Sequence, residues 1–247
     1  MKFKPIQILV SVYFWFELFA ISGVMFSVAL LIWLITLPFD PRRVVLHRFT
    51  CFWSDVVLLV NPVWWTKIYG KEKLDRKTTY VMVSNHTSGA DILVIFRLYA
   101  HFKWVAKKSL FFFPFIGWNL VLCRYILLER GRKGSVRKMM DRAVKNIRDR
   151  NSVMIFPEGT RSKDGKLQAF KSGAFQIALE TGVPILPIVI KGTHAAIQKG
   201  GFLIHSNKHI TATILDPLPY NDFKDLDAKA LALKVQGLMK REQESEK

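Results

Sequence analysis

The chain has 247 residues, 50% of them hydrophobic, and a formal net charge of +18 at pH 7. This length suits one substantial α/β core with an added element, and the apolar fraction excludes a disordered chain. Its two cysteines, Cys51 and Cys123, exclude a disulfide framework, and no helix-turn-helix, zinc-finger or aromatic-basic RNA motif accompanies the positive charge.

The first predicted element is an apolar stretch, Ile8–Phe39, in which Glu17 is the only charged residue. It is about twice as long as the apolar core of a secretory signal, which has roughly 7–15 residues. As a helix it would exceed the roughly 30 Å hydrocarbon core of a bilayer. We therefore expect it to tilt, to break near Ser22-Gly23 or to lie partly in the interface. A second apolar stretch, Val44–Trp65, is interrupted by polar residues and suits an amphipathic helix in one leaflet.

We predict that residues 1–65 form a two-helix membrane-embedded anchor and that residues 66–247 form an α/β domain. A single true span by the first stretch is the alternative. The basic residues that flank this stretch favour a location in the cell membrane with the main domain on the cytoplasmic side. Anionic membrane lipids are expected partners because the chain is strongly basic.

From residue 66 onward, short apolar strands alternate with amphipathic helices, which predicts a mixed sheet covered by helices. The clearest helix is Ser135–Arg150, with one apolar face and Ser135 placed to cap it. In chain order the predicted strands are Tyr80–Ser84, Phe102–Ala106, Cys123–Leu128, Ser152–Phe156, Val183–Ile190 and Ile210–Leu215. The other predicted helices are Ser88–Tyr99, Gly173–Thr181 and Asp222–Glu244.

Two motifs follow predicted strands, where an α/β sheet normally presents its functional side chains. In residues 86–91, His-Thr-Ser-Gly-Ala-Asp, small residues allow the loop to bend so that His86 and Asp91 can pair. In residues 156–162, Phe-Pro-Glu-Gly-Thr-Arg-Ser, a glycine turn lies between Glu158 and Arg161, and arginine suits phosphate binding. Taken alone, the first motif could be a helix cap and the second a surface turn closed by an ion pair.

A third, basic block lies between these motifs and contains Lys107, the segment Pro114-Phe-Ile-Gly117 and Arg130. In this order the blocks resemble the signature of the glycerolipid acyltransferases, specifically the 1-acylglycerol-3-phosphate acyltransferases, over about residues 80–190. Members of that family often carry an aspartate before the arginine, where this chain has Glu129.

The resemblance implies an enzyme that esterifies the free hydroxyl of 1-acylglycerol 3-phosphate (lysophosphatidic acid) to give phosphatidic acid. It implies that His86 and Asp91 are catalytic. The residues expected to bind the acylglycerol phosphate are Lys107, Arg130, Glu158, Gly159, Thr160 and Arg161.

The chain has no Gly-x-Ser-x-Gly elbow, so direct attack by the acceptor hydroxyl, with His86 as general base, is simpler than an acyl-enzyme. An acyl carrier protein or coenzyme A thioester is the expected donor, and no cofactor, metal or nucleic acid is expected. The rival acceptors are glycerol 3-phosphate and another lysophospholipid. The alternative outside the enzymes is a non-catalytic basic protein that binds anionic lipid, although a protein that only binds lipid does not need a catalytic base such as His86.

Overall fold

Seven strands form one mixed sheet in the computed structural model, which describes residues 5–60, 64–129, 131–197, 200–205 and 208–245. The strands are β1 (Trp64–Tyr69), β2 (Val81–Ser84), β3 (Phe102–Lys107), β4 (Ile126–Leu128), β5 (Ser152–Ile155), β6 (Ile185–Lys191) and β7 (Lys208–Ile214). Their spatial order is β1-β7-β6-β2-β5-β3-β4, and neighbouring strands are parallel except for the antiparallel pair β6 and β7. The predicted mixed sheet is confirmed.

Helices cover both faces of this sheet. They are α1 (Pro5–Thr36), α2 (Val44–Val60), α3 (Ala90–Phe96), α4 (Ile116–Leu122), α5 (Lys133–Arg148), α6 (Gly173–Thr181) and α7 (Ala228–Glu244). Successive residues of a strand point to opposite faces. Accordingly, Met82 of β2 packs in the core under α1–α4, whereas Val81 and Val83 pack under α5–α7. Burial on both faces explains why the central strands are almost uniformly apolar.

The predicted elements of the α/β domain are present, with differences at their ends. The predicted strand Cys123–Leu128 is only three residues long, Ile126–Leu128, because the residues before it complete a turn after α4. Ser135 does not cap α5, which begins at Lys133; the Ser135 hydroxyl instead accepts the backbone N–H of Glu129. Neither α4 nor β1 was predicted, because both are short and lie beside longer apolar runs.

Helix α1 is continuous, so the break considered near Ser22-Gly23 does not occur. Among the residues described, it is the one helix that is long and apolar enough to cross a membrane. One side packs on the rest of the protein along most of its length: Gln7 bonds to His205 near one end, and Phe26 packs on Trp118 further along. Most of its remaining apolar side chains are exposed.

Helix α2 packs into the core. The buried His47 ring contacts Phe102, and its nitrogens bond to the Tyr125 hydroxyl and the Ala100 carbonyl. The helix is shorter than the predicted stretch to Trp65, because Trp65 already belongs to β1. Since β1 pairs with β7, the end of the predicted anchor segment, Trp64 and Trp65, belongs to the sheet.

Candidate active site

The two motifs meet because the strands that precede them are parallel neighbours. Val83 of β2 pairs with Ile155 of β5, so the following loops leave the same edge of the sheet. The backbone N–H of Ser162 donates to the His86 carbonyl at 2.8 Å and joins the loops directly. They therefore form one site at the carboxyl ends of two central strands, the usual position in an open α/β sheet.

His86 and Asp91 form a hydrogen-bonded pair, with 2.8 Å between His86 Nδ1 and Asp91 Oδ2. Asp91 is fully buried, and the same oxygen accepts the backbone N–H groups of Thr87 and Ser88 at 2.8 Å and 2.9 Å. These bonds hold the carboxylate in place. The carboxylate in turn favours the His86 tautomer with a proton on Nδ1, which leaves Nε2 to accept a proton.

Phe156 stacks on the His86 ring, with centroids 3.9 Å apart and planes only 9° from parallel. The Trp104 ring lies on Phe156 at a centroid distance of 5.4 Å and supports it. This stack restricts rotation of the imidazole, and an aromatic face also attracts the imidazolium form. From the sequence, Phe156 is predicted only as the end of a strand. The signal for its contact with His86 is an aromatic residue at the carboxyl end of the strand that pairs with β2.

Glu158 supports the histidine loop from behind. Its side chain is 3% exposed; Oε1 accepts the His86 backbone N–H at 2.9 Å and Oε2 accepts Gln168 Nε2 at 3.1 Å. Burial raises the pKa of Glu158 to about 7. The carboxylate thus faces the protein interior, which disagrees with the surface-turn alternative for this motif. Gln168, which lies outside the recognised motifs, is a second support that the sequence analysis missed.

Glu158→Gln is expected to flatten the pH dependence of folding stability. In the native protein this group binds its proton up to about pH 7, whereas in the unfolded chain it releases it near 4.5. The folded state therefore holds an extra proton in this range, and the unfolding free energy falls as pH rises through it, by up to roughly 3 kcal/mol at about 1.36 kcal/mol per pKa unit. Denaturant titrations in detergent at pH 5 and pH 8 measure the difference.

The control for this prediction is Glu72→Gln, because Glu72 is an exposed glutamate in the turn Lys71–Lys73, outside both motifs. It should leave the pH dependence of stability as in the wild type. If Glu158→Gln kept the pH dependence of the control, burial of Glu158 would not be the cause of the pH dependence of folding stability.

A cavity of about 520 Å³ opens beside His86, and both Lys107 and Arg161 contribute to its wall. The base therefore shares one space with two cations. The rest of the wall is mostly apolar and comes from helices α1–α4, strand β3 and neighbouring loops; it includes Phe14, Leu18, Trp53, Leu93, Phe96 and Leu120. Such a cavity suits an amphiphile with an anionic head and a long apolar tail.

Gly159 and Thr160 shape the turn between Glu158 and Arg161. Gly159 has φ of 71°, and an added Cβ would lie 2.9 Å from Lys171 Nζ, so a side chain there would be both strained and crowded. The Thr160 carbonyl accepts Gln168 Nε2 at 3.3 Å. Of this turn, Arg161 is among the described residues that line the cavity, whereas Glu158, Gly159 and Thr160 are not.

Arg130, the remaining residue expected at the phosphate site, lies outside the described residues. Of the aromatic side chains at positions 111, 112, 113, 115 and 118, only Phe113 contributes to the described cavity wall. Phe115 instead packs on Phe19 of α1. Within the described ranges, no group of three or more His, Cys, Asp or Glu side chains could hold a metal ion.

A histidine–aspartate pair therefore lies at the ends of two parallel strands, beside an apolar cavity whose wall also carries two cations. Residues 66–191 match the model of the Acyltransferase family, and the chain belongs to this family. The resemblance seen in the motifs is thereby confirmed.

Curated relatives include a chloroplastic 1-acyl-sn-glycerol-3-phosphate acyltransferase of Arabidopsis thaliana, 37% identical over 178 residues, or 70% of this chain and 49% of that protein. A 1-acyl-sn-glycerol-3-phosphate acyltransferase of Chlamydomonas reinhardtii is 32% identical over 195 residues, or 77% of this chain and 58% of that protein. The chain thus spans about half the length of the curated relatives it matches.

The fold is also similar to a crystal structure, that of the 1-acyl-sn-glycerophosphate (LPA) acyltransferase PlsC from Thermotoga maritima. The TM-score is 0.78 at 25% sequence identity, and the match covers 96% of this chain and 95% of that one. The N-terminal helices are therefore included in the likeness.

Proposed function

We propose that the chain transfers a fatty acyl group from an acyl thioester to the free hydroxyl of 1-acyl-sn-glycerol 3-phosphate, giving phosphatidic acid. The observation that carries this proposal is the single cavity shared by His86, Lys107 and Arg161, whose other walls are mostly apolar. The printed names of the curated relatives and of the Thermotoga maritima structure support the same acceptor.

In the proposed reaction His86 Nε2 takes the proton of the acceptor hydroxyl as its oxygen attacks the thioester carbonyl. The tetrahedral intermediate then collapses, the carbon–sulfur bond breaks, and the imidazolium returns the proton to the departing thiolate. Asp91 stabilises the imidazolium between these steps through its 2.8 Å bond to Nδ1. His86 thus acts as general base in the first half of the transfer and as general acid in the second.

The acceptor hydroxyl acts as the nucleophile in this proposal, without an acyl-enzyme. Ser84 and Ser88 each lie two residues from His86. Ser84 donates its buried hydroxyl to the Asn85 carbonyl at 3.2 Å, and Ser88 donates its buried hydroxyl to the Ile197 carbonyl at 2.8 Å. That bond holds the Ser88 hydroxyl away from the base. A directly attacking alcohol needs no such residue, and neither a metal ion nor an organic cofactor enters the mechanism.

Arg161 and Lys107 are proposed to bind the phosphate of the acceptor. Both contribute to the cavity wall beside His86. Arg130 keeps its proposed place among the phosphate ligands by resemblance alone. Glu158, Gly159 and Thr160 are proposed to act through the shape of the turn, because Glu158 is directed at the His86 backbone and none of the three lines the described cavity.

The donor is proposed to be a thioester of acyl carrier protein or coenzyme A. The outer face of α5 carries exposed basic side chains that suit the phosphates of coenzyme A or an acidic carrier. They are Arg137, Lys138, Arg142, Lys145 and Arg148. Charge does not distinguish the two donors, so both are included in the test below.

We place α1 in the membrane, with the α/β domain on the cytoplasmic side of the cell membrane. Most apolar side chains of α1 are exposed, whereas Glu17 is turned towards the protein and buried. Because one side of α1 packs along the domain from Gln7 to Phe26, a helix lying in one leaflet fits better than a free transmembrane span. Anionic lipids would attract the basic domain to that surface.

Arg161→Ala is expected to lower kcat/KM for the acceptor by about one to two decades. A charge-assisted hydrogen bond contributes roughly 1.5–3 kcal/mol, and each 1.4 kcal/mol corresponds to about tenfold. Kinetics with the acceptor and then the donor varied separately measure the effect. Lys163→Ala is the matched control, since Lys163 is an exposed cation two residues away. A loss confined to donor kinetics would assign Arg161 to the donor site.

Product analysis by mass spectrometry tests the proposed acceptor. Purified protein would be supplied with each donor and with lysophosphatidic acid, glycerol 3-phosphate or lysophosphatidylcholine. Phosphatidic acid formed from lysophosphatidic acid is the expected result, because the apolar cavity suits an acceptor with a tail. Faster acylation of glycerol 3-phosphate or of lysophosphatidylcholine would show that this compound, and not lysophosphatidic acid, is the preferred acceptor. Binding of anionic lipid without any acylated product would favour the non-catalytic alternative.

A further inference from the structure

Residues 108–122, here called the aromatic hairpin, expose an unusually apolar surface for a segment of an α/β domain. The hairpin consists of a 3-10 turn, Lys108–Phe112, and α4. Phe112 at its tip is 73% exposed. The other large apolar side chains that it exposes are Phe113, Ile116, Trp118 and Val121. Contiguous exposed apolar surface of this kind marks an interaction site.

This surface continues onto the exposed side of α1. Phe115 packs on Phe19 with ring centroids 5.2 Å apart, and Trp118 packs on Phe26 at 5.3 Å. The Phe115 ring also lies against Gly23, where an added Cβ would be 3.5 Å from it. The hairpin and α1 therefore form one apolar surface from two segments that are far apart in the chain.

The hairpin is held in a fixed shape. The backbone of Gly117 lies so close to the preceding turn that an added Cβ would be 2.5 Å from the Phe111 carbonyl oxygen and 2.6 Å from that of Leu110. This packing keeps the exposed aromatic side chains at the outside of the turn. Lys107 and Arg124, exposed at its two ends, provide a cationic rim. Exposed aromatic groups bordered by cations are typical of a segment that enters the interface of an anionic bilayer.

The inner side of the same hairpin lines the proposed acyl cavity. Leu110, Phe113, Ile116 and Leu120 all contribute to its wall. Phe113 and Ile116 are also exposed on the outside. The hairpin thus separates the cavity from the exterior by the thickness of single side chains.

We infer that the aromatic hairpin is a second membrane-inserted element beside α1, and that a bilayer lipid delivers its acyl chain into the cavity past Phe113 and Ile116. The occupant of this surface is the acyl-chain layer of an anionic bilayer, since the apolar surface is continuous with α1 and its rim is cationic. The inference rests on the proposed membrane anchoring and acyltransferase function.

Depth-dependent fluorescence quenching tests insertion in the full-length protein. Cys51 and Cys123 are buried, so an introduced exposed cysteine can be labelled selectively with a polarity-sensitive fluorophore. The three positions are Phe112→Cys in the hairpin, Leu31→Cys in α1, where Leu31 is 58% exposed, and Leu233→Cys in α7, where Leu233 is 69% exposed. The vesicles contain phosphatidylglycerol and phosphatidylcholine with brominated acyl chains.

The label at position 112 is expected to shift to the blue and to be quenched at least twofold, together with the label at position 31. The label at position 233 should remain unquenched, because α7 covers the opposite face of the sheet. Quenching at position 31 without quenching at position 112 would overturn hairpin insertion and leave the anchor intact. Absence of quenching at both positions would overturn the anchor as well.

Kinetics of Phe112→Asp test the passage of the acyl chain. A carboxylate at the tip of the hairpin opposes insertion. We expect KM for lysophosphatidic acid in vesicles to rise about tenfold, with no change for a short-chain, water-soluble acceptor. Leu233→Asp, the matched control, should change neither value. An equal loss with both acceptors would overturn the proposed passage of the acyl chain but would not contradict the proposed acyltransferase function.

Discussion

Replacing His86 with alanine is expected to lower the turnover number by at least roughly 10²–10⁴-fold while the protein stays folded and membrane-bound. In the proposed mechanism, the substitution removes the group that takes the hydroxyl proton. Nε2 is directed to this task because Nδ1 is held at 2.8 Å by Asp91 and the ring is stacked on Phe156. Steady-state kinetics with saturating donor and acceptor measure the loss.

The control for this substitution is His209→Ala, because His209 is an exposed histidine on β7. It should retain normal turnover. Near-normal turnover in folded His86→Ala protein would contradict the assignment of His86 as the base.

Asp91→Asn is expected to reduce kcat by roughly 10²–10⁴-fold and to leave KM for both substrates nearly unchanged. The amide oxygen can still accept the N–H groups of Thr87 and Ser88, so the loop keeps its fold. It cannot stabilise the imidazolium, since it carries no charge. KM should not change because Asp91 is fully buried behind His86 and does not reach the cavity.

Measuring kcat and KM separately distinguishes this positioning role from a structural one. Asp149→Asn, at an exposed aspartate after α5, is the matched control. A variant with normal kcat and a raised acceptor KM would assign Asp91 to substrate binding. Destabilisation of the Asp91→Asn variant would show as a lowered unfolding temperature. In that case Asp91→Glu, which keeps the negative charge, would distinguish the effect of the lost charge from the effect of a disturbed fold.

The contacts that could be predicted from the sequence are short in range or follow from strand order. His86 and Asp91 are five residues apart, and a loop of small residues brings them together. The second motif reaches them because β2 and β5 are parallel neighbours with their carboxyl ends together. Both features depend on local spacing and on the general behaviour of α/β sheets.

The cavity could not be predicted, because its wall combines side chains from distant parts of the chain. Phe14 of α1, Trp53 of α2 and Leu120 of α4 meet there only after the helices pack on the sheet. In the sequence each of them reads as an ordinary core or membrane residue. In the aromatic run Phe111–Phe113, Phe113 lines the cavity whereas Phe112 is exposed, and the sequence does not distinguish the two.

Glu158 shows a different limit of sequence reasoning. Its place between a glycine turn and a strand indicates a functional residue, and the resemblance assigns it to the phosphate site. The sequence does not give the direction of its side chain, which bonds to the backbone N–H of His86 at 2.9 Å. Only this direction shows that the carboxylate supports the catalytic loop.

The measurement that tests the central claim most directly uses a donor with a radiolabelled acyl group. Purified protein is incubated with the labelled acyl thioester, first without and then with lysophosphatidic acid, alongside His86→Ala. The account predicts labelled phosphatidic acid only when the acceptor and an intact His86 are both present, and no label on the protein in the absence of acceptor. Failure of the folded wild-type protein to form phosphatidic acid with either donor, or the accumulation of an acylated protein, would contradict it.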